Sequence, residues 1–385
     1  MRGIADTIAR LAASARAPAA APLTSDRLQP LGGFGSNPGS LKGFIHIPAG
    51  LAPDAPLVVV LHGCTQSAAG YDKASGWSEL ADEEGFALLY PEQQRSNNAN
   101  GCFNWFEPAD TRRDAGEALS IRQMIAAVVT RHAIDPDRIF VTGLSAGGAM
   151  TATLLATYPE VFAGGAIIAG LPHGAAAGMV QAFDRMRGHG LPSTDRLEAA
   201  VRAGSRHAGP WPRISIWHGD ADRTVDVVNA EAIGAQWRSV HGLSDNPTEI
   251  DRIDGVPHRS WRGPDGRVLV EDYLVPGMGH GTPLDTRGPQ ALGSSAPFML
   301  DVGIGSTRRI ADFWDITATA ALPLTKHASP QARLGHAAHE ADALPARSEP
   351  RRLFGTRTKP EVGERPSAYI TKVIEDAMRS AGLMK

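Results

Sequence analysis

The chain has 385 residues, 42% of them apolar and 21% charged, and its 38 basic against 41 acidic side chains leave a formal charge of −3. A chain of this size buries roughly three quarters of its extended surface, so one large α/β domain or two ordinary ones are within reach and a mini-protein scaffold is excluded. The near-neutral balance carries no footprint for nucleic acid or an anionic membrane, and 42 glycines with 28 prolines call for many sharp turns, a linker, or both.

Residues 1–16 set Ile4, Ile8 and Leu11 on one helical face, which predicts a short amphipathic helix before the alanine and proline segment at 17–22. Arg2, Asp6, Arg10 and Arg16 interrupt this start, so it lacks the apolar core of a secretory signal, and no stretch of ~18 apolar residues follows anywhere. The expected placement is cytoplasmic, without integral membrane contact; the alternative is a secreted chain whose signal has been removed.

From residue 41 to about 325 a regular alternation predicts one domain. Apolar runs at 41–47, 57–61, 86–89, 139–142, 165–169, 214–217 and 268–275 read as strands, and PLVVVLHG and RIFVTG are apolar on both faces, as strands covered on both sides must be. Helices are expected at 73–84, 115–132, 147–157, 226–240 and 307–320, and a hairpin around GPDG at 263–266. The fold class is therefore α/β, a doubly wound and mostly parallel sheet with its active-site loops at the strand C-termini. The stretch 171–212 between two strands reads as two short helices forming a small cap that shapes a substrate pocket, or as a plain crossover. Residues 326–366 lose all periodicity and read as a disordered linker. Ile370, Val373, Ile374, Ala377, Met378 and Ala381 then mark an amphipathic C-terminal helix at 367–385. The segment 326–385 holds 11 basic and 7 acidic side chains, a net of +4 that leaves −7 on the rest. Its helix would expose an apolar stripe unless it docks on its own domain, pairs with another copy or binds an apolar granule.

GLSAG at 143–147 matches the G-x-S-x-G elbow, and its context is the required one: a buried strand before it and a helix after it. Gly143 and Gly147 leave room for a serine held on so tight a turn, which makes Ser145 the candidate nucleophile. A serine needs a base, and in this chain order an acid and then a histidine follow it. DADRTVDV after the strand at 214–217 offers Asp220, Asp222 and Asp226; Asp226 suits the start of the next helix, leaving Asp220 and Asp222. PGMGHG after the strand at 268–275 places His280 in a glycine-rich turn at a strand end, whereas His241 ends a helix and His258 precedes the hairpin. The oxyanion needs backbone donors, and the Ala146 amide and the Cys64 amide, at the end of VVVLHGC, are placed to supply them. His62 precedes the serine and reads as a loop brace. Trp105 and Phe106 either line an acyl pocket or anchor their loop to the core.

LHGCTQ at 61–66, LLYPEQ at 88–93, GCFNWF at 101–106, GLSAGGAM at 143–150, GLPHG at 170–174, HGDADRTV at 218–225 and GMGHG at 277–281 together resemble the polyhydroxybutyrate depolymerase family of esterases, α/β-hydrolases related to feruloyl and acetylxylan esterases. The resemblance spans residues 41–320. It implies Ser145 as nucleophile, Asp222 as the acid, His280 as the base, and Cys64 and Ala146 as oxyanion donors. It also implies a bridge between Cys64 and Cys102, against which stands the reducing cytoplasm of the first placement. The activity it implies is hydrolysis of short hydroxyalkanoate esters or polyesters, with feruloyl or acetyl sugar esters as the alternative and a non-catalytic granule- or ligand-binding protein as the rival from another class. Two cysteines and scattered histidines do not make a metal site, and no cofactor is expected. Two departures from the family stand out: secreted members carry signal peptides, and GMGHG lacks the longer Trp-containing loop found after the histidine in relatives.

Overall fold

Leu57, Val59 and Leu61 point into one apolar core and Val58 and Val60 into another, which is why the run from 57 to 61 has no polar face: it is a central strand with a core on each side. The computed structural model describes residues 27–318; the helix expected at 1–16, the linker at 326–366 and the helix at 367–385 lie outside them. Six strands form the parallel centre of the sheet, in the order β4 (Ala87–Glu92), β3 (Leu57–Leu61), β5 (Ile139–Leu144), β6 (Gly164–Ile168), β7 (Arg213–Gly219) and β10 (Val268–Val275). Antiparallel strands extend both edges: β1 (Gln29–Pro30) and β2 (Lys42–His46) beyond β4, and β9 (Val256–Arg262) and β8 (Glu249–Ile253) beyond β10. A two-stranded parallel sheet, β11 (Thr282–Leu284) with β12 (Met299–Asp301), lies apart from it.

The hairpin expected at GPDG joins β9 to β10, closed by Gly263 N–H donating to Arg267 O at 2.9 Å, with Gly266 at φ 79°. The helix expected at 73–84 is instead two, α1 (Ala68–Ser75) and α2 (Trp77–Glu84), because Gly76 adopts φ 73° and caps the first by donating to Asp72 O. A Cβ at Gly76 would stand 2.6 Å from Gly293 N, so the break also seats the 292–294 loop. Next come α3 (Pro108–Thr111), α4 (Gly116–His132) and α5 (Ala146–Thr157), the last buried at every residue. Of the two helices expected within 171–212, α6 (Met179–Met186) buries only Ala182. The other, α7 (Thr194–Gly204), buries Leu197 and Val201 and packs on α8 (Val228–His241). In α9 (Ser306–Phe313) the helix ends before Trp314, whose ring stacks on Phe140 at 4.9 Å and on Trp77 at 6.0 Å.

Candidate active site

Ser145 stands between β5 and α5 with φ 57° and ψ −117°, a conformation that costs an L-residue on the order of 1–3 kcal/mol. The surrounding backbone enforces it. Ser145 N–H donates to Ile168 O and its own carbonyl accepts from Ala149 N–H, both at 2.9 Å. The glycines are required by contact: a Cβ at Gly143 would lie 2.5 Å from the Gly147 backbone, and one at Gly147 2.4 Å from Leu61 O. The elbow is thereby pressed against the end of β3, which carries the 62–66 loop.

Asp222 and His280 come from the loops after β7 and β10, which are neighbouring parallel strands. His280 Nδ1–H donates to Asp222 Oδ2 at 2.7 Å. Asp222 Oδ1 accepts from Thr224 N–H at 2.8 Å and Val225 N–H at 3.0 Å, which fixes the carboxylate plane. Burial alone would raise the Asp222 carboxyl, but the hydrogen bonds from His218 and His280 and their charges hold it below the ordinary carboxylate range. The two loops meet backbone to backbone: a Cβ at Gly219 would lie 2.2 Å from Met278 O. Asp220, the alternative acid, is a brace between them, its Oδ1 accepting from Gly277 N–H at 2.7 Å. Asp226 Oδ1 accepts from Val228 N–H at the start of α8.

His62 is buried and spent on structure. Its Nδ1–H donates to Gly63 O at 2.7 Å and its Nε2 accepts from Gln93 N–H at 3.1 Å, and burial lowers its affinity for a proton. The rejected base His258 is held at both ring nitrogens, by Asp251 at 2.7 Å and Glu271 at 3.1 Å, on the β8–β10 side of the sheet. Cys64 and Cys102 form a disulfide, which closes the alternative that the sequence left open. With Thr65 N–H donating to Asn100 O at 2.8 Å, it ties the 62–66 loop to the 98–102 loop. Ala146 is the first residue of α5, so its amide has no acceptor inside the helix.

Ser145, Ala146, Cys64, His280, Trp105 and Phe106 all line one cavity of about 460 Å³. Both readings of the aromatic pair hold together: Trp105 and Phe106 meet edge to face at 5.5 Å and pack with Ala149, Leu171 and Val225 while presenting area to the cavity. Their loop rests on buried Glu117, which accepts from Asn104 N–H and Nδ2–H, both at 2.9 Å, and from Gln93 Nε2–H at 2.5 Å.

Within the stretch expected to shape a substrate pocket, α6 lines the cavity through Met179, Ala182, Phe183 and Met186, residues at i, i+3, i+4, i+7 spacing. One contribution escaped the sequence reading: His218, whose Nε2–H donates to Val225 O at 3.0 Å with Asp222 Oδ2 at 3.4 Å. Its only sequence mark was a histidine at a strand end before the acid loop. Among the described residues no group of three or more His, Cys, Asp or Glu could hold a metal ion, and no helix is long and apolar enough to cross a membrane.

A family model described as Esterase PHB depolymerase matches residues 41–254. The chain is 47% identical to the poly(3-hydroxyalkanoate) depolymerase C of Paucimonas lemoignei over 289 residues, 74% of this chain and 69% of that one. It is 32% identical to an acetylxylan esterase of Coprinopsis cinerea, covering 70% of this chain and 73% of that protein. Among solved structures, an acetyl xylan esterase from Aspergillus awamori superposes with a TM-score of 0.64 at 24% identity, over 75% of this chain and 99% of that chain, which identifies the shared fold.

Proposed function

Because the chain belongs to the esterase PHB depolymerase family, whose relatives are carboxylic ester hydrolases, we propose that it hydrolyses short-chain hydroxyalkanoate esters and polyesters through an acyl-enzyme on Ser145. The observation that carries this reading is the strained Ser145 sharing one cavity with a His280 whose Nδ1–H is engaged by Asp222. With Nδ1 protonated, Nε2 is the basic nitrogen. It takes the Ser145 proton as Oγ attacks the ester carbonyl, and the developing oxyanion is received by the Cys64 and Ala146 amides. The imidazolium, supported by Asp222, returns the proton to the leaving alcohol. Water then repeats the sequence against the acyl-enzyme, releasing the acid and restoring Ser145.

The Cys64–Cys102 disulfide supports work in an oxidising compartment rather than the cytoplasm. Every residue given a chemical role precedes 281, so the segment after 326 is assigned an accessory part, in self-association or in contact with an insoluble polyester. A chain ending at Lys326 should keep its turnover on soluble esters and lose association or adsorption.

The test sets p-nitrophenyl butyrate, hydroxybutyrate oligomers and methyl ferulate side by side, with fluorophosphonate labelling of Ser145. Hydroxybutyrate ester hydrolysis and labelling that vanish together in Ser145→Ala are expected. Preference for methyl ferulate would move the chain to the feruloyl side of the relationship, and a folded Ser145→Ala protein with full activity would refute the mechanism.

A further inference from the structure

Arg223 follows the triad acid directly, is exposed, and lines the same cavity as Ser145 and His280. It stands among three aspartates, yet each is committed elsewhere: Asp220 to Gly277 N–H, Asp222 to His280, Thr224 and Val225, and Asp226 to Val228 N–H. Among the described residues Arg223 has no ion pair within 4.0 Å and no hydrogen-bonded acceptor for its guanidinium. The only other cavity-lining residue with a formal charge at neutral pH is Glu107, next to the Trp105 and Phe106 pair, and no ion pair joins it to Arg223. The wall thus offers one unmatched cation directly after Asp222, the acid paired with His280, and one anion next to the aromatic pair.

Resting on the esterase reading above, we infer that Arg223 binds the free carboxylate of a hydroxyalkanoate oligomer, so that the enzyme cleaves the ester next to the carboxyl end and releases the terminal hydroxy acid. The geometry of the reaction places that carboxylate. The leaving oxygen takes its proton from His280, so the alcohol portion of the ester lies on the histidine side of the cavity. In a 3-hydroxy acid the carboxylate sits two carbons beyond the carbon bearing that oxygen. A guanidinium is the matching receptor, since its planar fork binds carboxylate with two charge-assisted hydrogen bonds. Glu107 works in the same direction by repelling a carboxylate that enters the wrong way round. In the step itself Ser145 Oγ gains the acyl group, the acyl–oxygen bond to the terminal unit breaks, that unit leaves as a hydroxy acid with the His280 proton, and its carboxylate is unchanged. A unit in the middle of a polymer chain has no such carboxylate, nor do acetyl and feruloyl esters of neutral sugars.

The experiment compares kcat/KM for the hydroxybutyrate dimer as free acid and as methyl ester at neutral pH, in the wild-type protein, Arg223→Gln and Arg223→Glu. The wild-type protein should favour the free acid about tenfold or more, the scale of a charged hydrogen bond. That ratio should collapse toward one in Arg223→Gln and invert in Arg223→Glu. A readout independent of either variant's folding is salt: in the wild-type protein the ratio should shrink as ionic strength rises. If the wild-type protein hydrolyses both dimers with a ratio at or below one, the inference is overturned while the esterase reading stands. If it hydrolyses neither dimer and no p-nitrophenyl ester, the esterase reading falls and the inference with it.

Discussion

Asp222 and His280 are 58 residues apart in the chain and meet through a hydrogen bond of 2.7 Å. The contact follows from topology: β7 and β10 pair in parallel, so their C-terminal loops emerge side by side, and the backbone at Gly219 touches that at Met278. Asp220, only two residues earlier, is turned to the Gly277 amide. One loop therefore turns one acid to the His280 ring and the other to the backbone of the neighbouring loop.

Asp222→Asn should lower kcat by about three to four orders of magnitude, since an amide in that place leaves His280 in the wrong tautomer. Asp220→Asn should cost less than about tenfold, because the amide oxygen can still accept from Gly277 N–H. Kinetics on p-nitrophenyl butyrate with both folded variants decide it. Equal losses would mean that the brace and the triad acid had been confused.

Ser145 predicts a trade of activity against stability. Ser145→Gly and Ser145→Ala should both abolish hydrolysis, but only glycine relieves the φ of 57°. The glycine variant should be more stable than the alanine variant by about 1–2 kcal/mol in urea unfolding. Equal stability would show that the backbone there holds no strain.

The parallel centre of the sheet and the elbow were legible because they depend on local signals: doubly apolar strands, and glycines at fixed offsets from a serine. His280 was legible because a glycine-rich turn at a strand end is itself a pattern. Two things were not. The break at Gly76 arises from a close approach to Gly293, far away in sequence. The edge strand β8 carries Glu249, Asp251 and Arg252 and is exposed along its length, so apolar periodicity does not announce it.

Stability should peak at about pH 6 to 7. Burial pushes Glu117 from its ordinary 4.5 up to about 8 despite its hydrogen bonds, so between those values the folded state holds a proton that the unfolded chain has released, and stability falls as pH rises. Burial lowers His173 and His241 from 6.5 to about 4, so between those values the unfolded chain holds the extra protons and stability rises with pH. Two rising contributions outweigh one falling below 6.5; above it Glu117 continues to lower stability, on the order of a few kcal/mol up to pH 8, joined by His258, which burial would lower but its bonds to Glu271 and Asp251 hold above its ordinary value. Urea midpoints across pH 4 to 8.5 measure the dome. Glu117→Gln should flatten its alkaline limb, and an unchanged limb would remove Glu117 as the cause.

The disulfide makes two separable predictions because it links residues 38 apart and also holds Cys64, the proposed oxyanion donor. Closing a loop of that length restricts the unfolded chain by about 4 kcal/mol in the entropic model, so Cys102→Ser should lower stability on that scale. Catalysis should change in its own way. An oxyanion donor acts on charge that exists only in the transition state, and loosening it lowers kcat with little effect on KM. Thr65 N–H keeps its bond to Asn100 O and Gly63 N–H its bond to Gln66 Oε1, so the 62–66 loop stays partly held. The kcat loss should therefore be about tenfold, short of the 10²–10³ for removing a donor outright. Steady-state kinetics well below the lowered melting transition separate the two effects. A Cys102→Ser protein with unchanged kcat but reduced stability would confine the disulfide to scaffolding, and a rise in KM at constant kcat would place its effect on the cavity wall instead of the oxyanion site.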